Sequence, residues 1–314
     1  MMPGLVVRAP GRSILGCPLP ALRFLAREHA HRPYSGQVLT LGRQCVHATF
    51  AQVVRMLREE GLEPHALPAG ISERTDLPGW RTGPNAAMAS DRAFFHALGG
   101  LETVALDSSN YEQAEIIWDL NRPVPAELEG RFGLILDGGT LEHVFDTRVA
   151  LANLARMLAP GGRVLHTNPA TNYLAHGFYQ FSPTLYYDWY GANGFIDLRG
   201  LLVEQPTWSQ TGHGWRCWEW NPHRPYSHAR SNRLLMFYFV AEKGPAATYD
   251  RVPQQGDFTR TGEGGRTCYD DHGSTGWRAR LARGLPDRLH MAIRRARGRD
   301  LSAEPWGLKF RGRL

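Results

Sequence analysis

The chain is poor in cysteine, lysine and long apolar runs. Four cysteines in 314 residues (Cys17, Cys45, Cys217, Cys268) form no CxxC pair. That excludes a disulfide framework and a zinc knuckle, and fits a reducing cytoplasm. No run of 18 or more apolar residues occurs, so a membrane-spanning helix is excluded and no membrane partner is expected. Of the 36 basic residues only Lys243 and Lys309 are lysine. A bias towards arginine this complete reflects coding composition better than phosphate binding, so nucleic acid is not expected as a partner. Ile14-Leu15-Gly16-Cys17 looks like a lipoprotein cleavage box, but Arg8-Ala9-Pro10-Gly11-Arg12 before it supplies no apolar stretch, and export is not expected. No internal repeat is visible.

What is present is a globular composition, 42% apolar and 21% charged. The length allows one large domain or two small ones. The net charge of +6 is unevenly placed. Residues 243–314 carry 15 Lys/Arg against 8 Asp/Glu, and the preceding 242 carry 21 against 22. The sequence therefore divides into an N-terminal helical segment (1–36), a neutral body (37–243) and an Arg-rich linker and tail (244–314). The tail is read as a surface for an acidic protein partner or a second copy of the chain.

Within the first segment, Pro20 starts a helix that His31-Arg32-Pro33 ends. Val38-Leu39-Thr40-Leu41-Gly42 reads as a buried strand, and Val46 to Glu60 as an amphipathic helix stopped by Gly61. Residues 62–100 are an irregular insertion or lid, ending in a short helix, Arg92 to Leu98, capped by Ser90-Asp91. Further strands are expected over Leu101–Leu106, Glu115–Trp118, Phe132–Leu136 and Arg163–Thr167. A helix is expected over Thr147–Leu158, stopped by Ala159-Pro160-Gly161-Gly162. Leu201–Glu204 and Leu234–Ala241 read as closing strands, the second central, and Trp277–Arg297 as a basic helical segment. Apolar strands alternating with helices imply an α/β, doubly wound, mostly parallel sheet.

An open sheet of this kind binds ligands outside the carboxyl ends of its strands. Asp107, Asp119 and Asp137 all fall there, with Gly42 at the end of the first strand. A carboxylate at Asp107 suits the two hydroxyls of a ribose.

These residues resemble the class I S-adenosylmethionine-dependent methyltransferases of the small-molecule type (methyltransferase type 11-like), over about residues 37–243. The specific pieces are Phe132-Gly-Leu-Ile-Leu-Asp137-Gly-Gly-Thr-Leu-Glu142-His143-Val144 and Leu158-Ala-Pro-Gly-Gly-Arg-Val-Leu, in order and correctly spaced. The resemblance implies a Rossmann-like methyltransferase fold with seven strands and S-adenosylmethionine as cofactor. It implies Asp107 on the ribose, Asp119 and Leu120 flanking the adenine, and Asp137 and Gly138 beside the methionine part. Two departures stand out. The first loop is Gly42-Arg43-Gln44-Cys45 where the family has several glycines. Arg43 either binds the cofactor carboxylate or, with Gln44, fills the site. Asp107 also lies 65 residues after Gly42, far beyond the usual spacing of about 20, so residues 62–100 cross the same edge.

Acceptor chemistry is expected from the polar, aromatic run His166–Ser182, with Asn168, Asn172, Tyr173, Tyr179 and Gln180 as candidate substrate residues. His176 is the candidate general base and His143 its rival. Trp208, Trp215, Trp218 and Trp220 form an aromatic loop before the last strand, placed to cap the pocket. His213, Cys217 and His223 lack a metal-ligand spacing, and no metal is expected. The function read from the sequence is methyl transfer to an oxygen or nitrogen of a small-molecule metabolite, a glycan precursor or secondary metabolite. The alternatives are a non-catalytic binding protein on this fold and a nucleic-acid methyltransferase using the tail.

Overall fold

A computed structural model describes residues 16–77, 83–205, 215–222, 231, 233–256 and 309–313. Nine strands form one sheet: β1 (Gln37–Leu41), β2 (Thr103–Asp107), β3 (Ile116–Ile117), β4 (Phe132–Asp137), β5 (Leu158–Thr171), β6 (Ile196–Gln205), β7 (Arg216–Glu219), β8 (Leu234–Glu242) and β9 (Lys309–Arg313). Their order is β3-β2-β1-β4-β5-β8-β6-β7-β9. The pairs from β3 across to β5 are parallel, and those from β5 across to β9 antiparallel. The architecture is thus α/β and doubly wound, but the sheet is mixed and, among the described residues, has nine strands rather than seven. The two unexpected strands lie at one edge. Lys309-Phe310-Arg311-Gly312-Arg313 holds a single large apolar side chain, so it leaves no strand pattern in sequence.

Alternation along each central strand feeds two cores. Val38, Leu134, Leu136, Leu165 and Val240 face one, and Leu39, Ile135, Val164 and Phe239 face the other. Helices α1 (Leu19–His31), α2 (Phe50–Glu59) and α3 (Asp91–Gly99) cover the first face, through Leu22, Val53 and Phe94 among others. Helices α4 (Thr147–Met157) and α5 (Pro183–Ala192) cover the second through Leu151, Leu154, Tyr186 and Trp189.

Local chemistry sets the helix starts. Thr49 and Gln52 form a capping box at α2, which moves its start from the expected Val46 to Phe50. Ser90 caps α3, and Gly100 ends it in the left-handed conformation that glycine adopts without strain. Asp146 caps α4, and Ser182 with Pro183 begins α5. The Ala159-Pro160-Gly161-Gly162 segment is not a separate turn. It is an irregularity at the start of β5, where the register against β4 jumps from Phe132↔Leu158 to Leu134↔Arg163. Among the described helices none is long and apolar enough to cross a membrane. The expected basic helix over 277–297 lies outside the described residues, as do Trp208, His213 and His223.

Candidate functional site

The strand order reverses between β1 and β4, and the carboxyl ends there are those of Leu41 and Asp137. Gly42 takes φ +72°, and its N–H donates to Leu106 O at 2.7 Å. A Cβ at Gly42 would stand 3.7 Å from Asp107 Oδ2. The first-strand glycine and the second-strand acid, 65 residues apart in sequence, therefore meet at the switch point where open α/β sheets bind ligands. Asp107 is half-buried. Its Oδ1 accepts from Ser109 N at 2.9 Å, which holds the carboxylate at the edge.

The other two strand-end acids differ. Asp119 is bound to Asn121, whose backbone N–H and side-chain amide hold its carboxyl below the ordinary range. Leu120 is buried against α4, its carbonyl accepting from Asn153. Asp137 is 0% exposed. Burial alone would raise its carboxyl; the His166 hydrogen bond opposes this, and with Thr140 N–H the net effect holds it below the usual carboxylate range. Oδ2 meets His166 Nδ1 at 2.8 Å, and Oδ1 accepts from the backbone of Thr140 and Leu141. Every oxygen of Asp137 is thus engaged inside the fold, and only its neighbours Gly138 and Gly139 border open space.

The glycine-poor loop is held by residues that the sequence reading passed over. The Arg43 guanidinium turns away from the edge, binding both oxygens of Glu115 at 2.7 Å and lying 3.7 Å from Asp91. Asp91, the first residue of α3, accepts from Gln44 N, so the end of the insertion fixes the loop. The Gln44 side chain folds back onto Leu41 O and Gly42 O. Its Oε1 lies where a Cβ on Gly138 would come within 2.0 Å. The amide therefore covers one face of Gly138.

Glu115 ties this arrangement together. Burial alone would raise its carboxyl. Ala105 N–H and the guanidiniums of Arg43 and Arg92 outweigh that and hold it down to about 2. A depressed native value means stability that is fully present above the unfolded value of 4.5 and lost as pH falls towards 2. Glu115→Gln should therefore cost about 1 kcal/mol at neutral pH, allowing for solvent screening of a partly exposed group. The deficit should shrink steadily in acid. Urea unfolding of both proteins at neutral pH and near pH 3 checks this, and a deficit that grows on acidification contradicts it.

Beside the switch point lies a cleft of about 370 Å³, open mouth included, lined in part by Gly138, Gly139, Glu142, Tyr173, His176, Gln205 and Trp215. Glu142 is 0% exposed. Its Oε2 accepts from Asn168 Nδ2 at 2.9 Å, and Asn168 Oδ1 accepts from Tyr186 at 2.6 Å. Its Oε1 has no hydrogen-bond partner among the described residues and lies 3.7 Å from His176 Nε2. The His176 and His143 rings meet edge to face at 5.2 Å. Gln205 Nε2 and Trp215 Nε1, both buried on the cleft wall, also have no hydrogen-bond acceptor among the described residues.

The candidate substrate residues separate by role. Tyr173 lines the cleft, with its hydroxyl 3.0 Å from Gln205 Oε1. Asn172 binds the backbone of Ser231 and Arg233, and Gln180 binds Tyr173 N. The Tyr179 hydroxyl donates to Phe145 O. These three hold the 172–180 loop in place, and Asn168 holds Glu142. The sequence reading gave no role to Glu142 or Gln205, and named His166 only as the start of the acceptor run; Trp215, read as part of an aromatic loop near the pocket, does line the cleft. Glu142 had a signal available, since an acid next to His143 just past a strand end is placed at the active edge.

No protein-family profile matches the chain, and no curated sequence matches it. Similar solved structures include the Burkholderia thailandensis 1,6-didemethyltoxoflavin-N1-methyltransferase with bound S-adenosylhomocysteine, at 16% identity, 72% of this chain, 79% of that chain and a TM-score of 0.35. A Thermotoga maritima SAM-dependent methyltransferase, possibly acting on histamine, matches at 12% identity, 70% and 89% coverage and a TM-score of 0.34. A Haemonchus contortus phosphoethanolamine N-methyltransferase 2 in complex with S-adenosyl-L-methionine matches at 12% identity and a TM-score of 0.36, with 70% of this chain covering 52% of that one.

Proposed function

We propose that the chain is an S-adenosylmethionine-dependent methyltransferase acting on an oxygen or nitrogen of a small-molecule metabolite. The observation that carries this reading is the meeting of Gly42 and Asp107 at the switch point. It leaves backbone without side chain beside a carboxylate, the arrangement a nucleoside needs. On this reading Asp107 holds the ribose, Asp119 and Leu120 border the adenine, and Gly42 and Gly138 border the methionine part. The residues fit the group, with one narrowing where the Gln44 amide covers Gly138. Arg43, engaged with Glu115 and Asp91, shapes the loop. When bound, the cofactor would supply a methyl group already activated on sulfonium sulfur.

The chain's own contribution is positioning and handling of one acceptor proton. The acceptor enters the cleft beside Gly138. Trp215 Nε1 and Gln205 Nε2 supply buried donors for a carbonyl or hydroxyl oxygen, and Tyr173 supplies an apolar wall. His176, on the cleft wall before Glu142, stands where the acceptor's proton is controlled, with His143 behind it.

Calorimetric titration of the full chain with S-adenosylmethionine and, separately, S-adenosylhomocysteine tests this. Micromolar binding at one site is expected. Gln44→Ala should tighten it several-fold by clearing the face of Gly138. Absence of binding to either ligand by folded wild type and folded Gln44→Ala protein would overturn the reading, in favour of a non-catalytic binding protein on this fold.

A further inference from the structure

Glu142, His143 and His176 form a cluster that methyl transfer by positioning alone does not require. One ligand atom from each, a carboxylate oxygen and two imidazole nitrogens, lies within 4.8 Å of the others. The two segments that meet here are 33 residues apart, and the fold clamps them. Phe178 N and Tyr179 N both donate to Glu142 O, at 2.7 and 3.3 Å. Gly177 takes φ +79°, and a Cβ there would come within 2.6 Å of that same carbonyl oxygen. Only glycine lets the His176 turn approach Glu142 so closely. Asn172 and Ala175 in the same turn also take positive φ, a strain that a purely connecting loop has no need to hold.

The carboxylate is half satisfied. Glu142 is 0% exposed, Oε2 is fixed by Asn168, and Oε1 has no hydrogen-bond partner among the described residues. A buried carboxylate oxygen left this way is costly unless a cation faces it. His176 Nε2 stands 3.7 Å away, too far for a hydrogen bond. It is close to the separation of about 3.4 Å between two ligands of one tetrahedral ion with bonds of about 2.1 Å. The Asn168 bond to Glu142, continued by Tyr186, is the outer support that orients a metal-binding carboxylate. His143 is exposed and His176 half-buried, so both rings can turn to close the remaining distance.

We propose that Glu142, His143 and His176 bind a divalent transition-metal ion of the zinc class, through Glu142 Oε1 and one nitrogen of each histidine. Two imidazoles and one carboxylate favour such an ion over magnesium or calcium, which take oxygen ligands. Three protein ligands leave a coordination position for water or an acceptor oxygen, and Glu142 and His176 both border the cleft. An ion held there lowers the pKa of the oxygen it binds, and His176 then serves as a ligand in place of a free base. The site does not depend on whether the chain binds S-adenosylmethionine.

The experiment uses the full chain, stripped with a chelator and dialysed, with no cofactor present. Co²⁺ is titrated while visible d–d absorption is followed, and Zn²⁺ is titrated by calorimetry. One ion per chain with ligand-field bands is expected, unaffected by excess Mg²⁺. His143→Ala and His176→Ala should each weaken binding at least about tenfold without changing the circular dichroism spectrum. Because His143 is exposed, its variant reports on the ligand even if Glu142→Gln fails to fold. No saturable binding, or equal binding by wild type and both histidine variants, would overturn the proposal. Metal binding without cofactor binding would keep this site and reject the methyltransferase reading; the reverse would do the opposite.

Discussion

His166→Ala should destabilise the protein by about 3–5 kcal/mol, the range for truncating a large, fully buried ring. The side chain is 0% exposed, and both ring nitrogens are engaged, Nδ1 with Asp137 Oδ2 at 2.8 Å and Nε2 with the Tyr190 hydroxyl at 2.7 Å. The ring also packs on Tyr186 at 4.8 Å and on Phe239 at 6.4 Å. Truncation therefore leaves a buried carboxylate without its main partner and a cavity among aromatic rings, and both effects act in the same direction. Tyr190→Phe, which removes one hydrogen bond and keeps the ring, should cost only about 1 kcal/mol. Urea unfolding of the two variants checks the pair. Similar small losses for both would show that Asp137 does not depend on His166. Acid should act in the same sense on wild type. A native Asp137 value below its unfolded 3.8 contributes stability present above that value and lost as pH falls beneath it.

Asp107→Ala should weaken cofactor binding at least about tenfold, since hydrogen bonds to a charged group are worth roughly 1.5–3 kcal/mol each. The half-buried side chain sits at the sheet edge and, among the described residues, accepts from Ser108 and Ser109 alone, so the fold should survive. Asp107→Asn serves as a second variant, because its side-chain oxygen can still accept from Ser109 N. It should bind more tightly than the alanine variant and more weakly than wild type. Calorimetric titration with S-adenosylhomocysteine, with circular dichroism as the folding control, measures both. Unchanged affinity in folded Asp107→Ala would remove Asp107 from the site.

Strand-end acids were legible because the sheet places its carboxyl ends together, whatever the connections between strands. Their roles were not. Asp107 faces the edge and Asp137 faces inward, yet both are an aspartate closing an apolar run. The difference comes from His166, which β4–β5 pairing sets directly across from Asp137. The Arg43-Gln44 departure was visible as a departure, but its outcome rests on Asp91 and Glu115, which are 48 and 72 residues further along the chain. His143 and His176 stood out as titratable groups near the active edge. Glu142 did not: its place beside His143 marks it as near the edge, but nothing local marks a glutamate as buried.

The sequence by itself determined the alternation of apolar strands and amphipathic helices, the helix cap at Ser90, and the line of acids at strand ends. These follow from periodicity and backbone chemistry within a few residues. Tertiary structure alone decided which of those acids are open to a ligand, where Arg43 and Gln44 turn, and that β7 and β9 extend the sheet. It alone brought Glu142, His143 and His176 together. Such outcomes depend on long-range neighbours that set burial and pairing, and burial is what separates a carboxylate that caps a turn from one that awaits a cation.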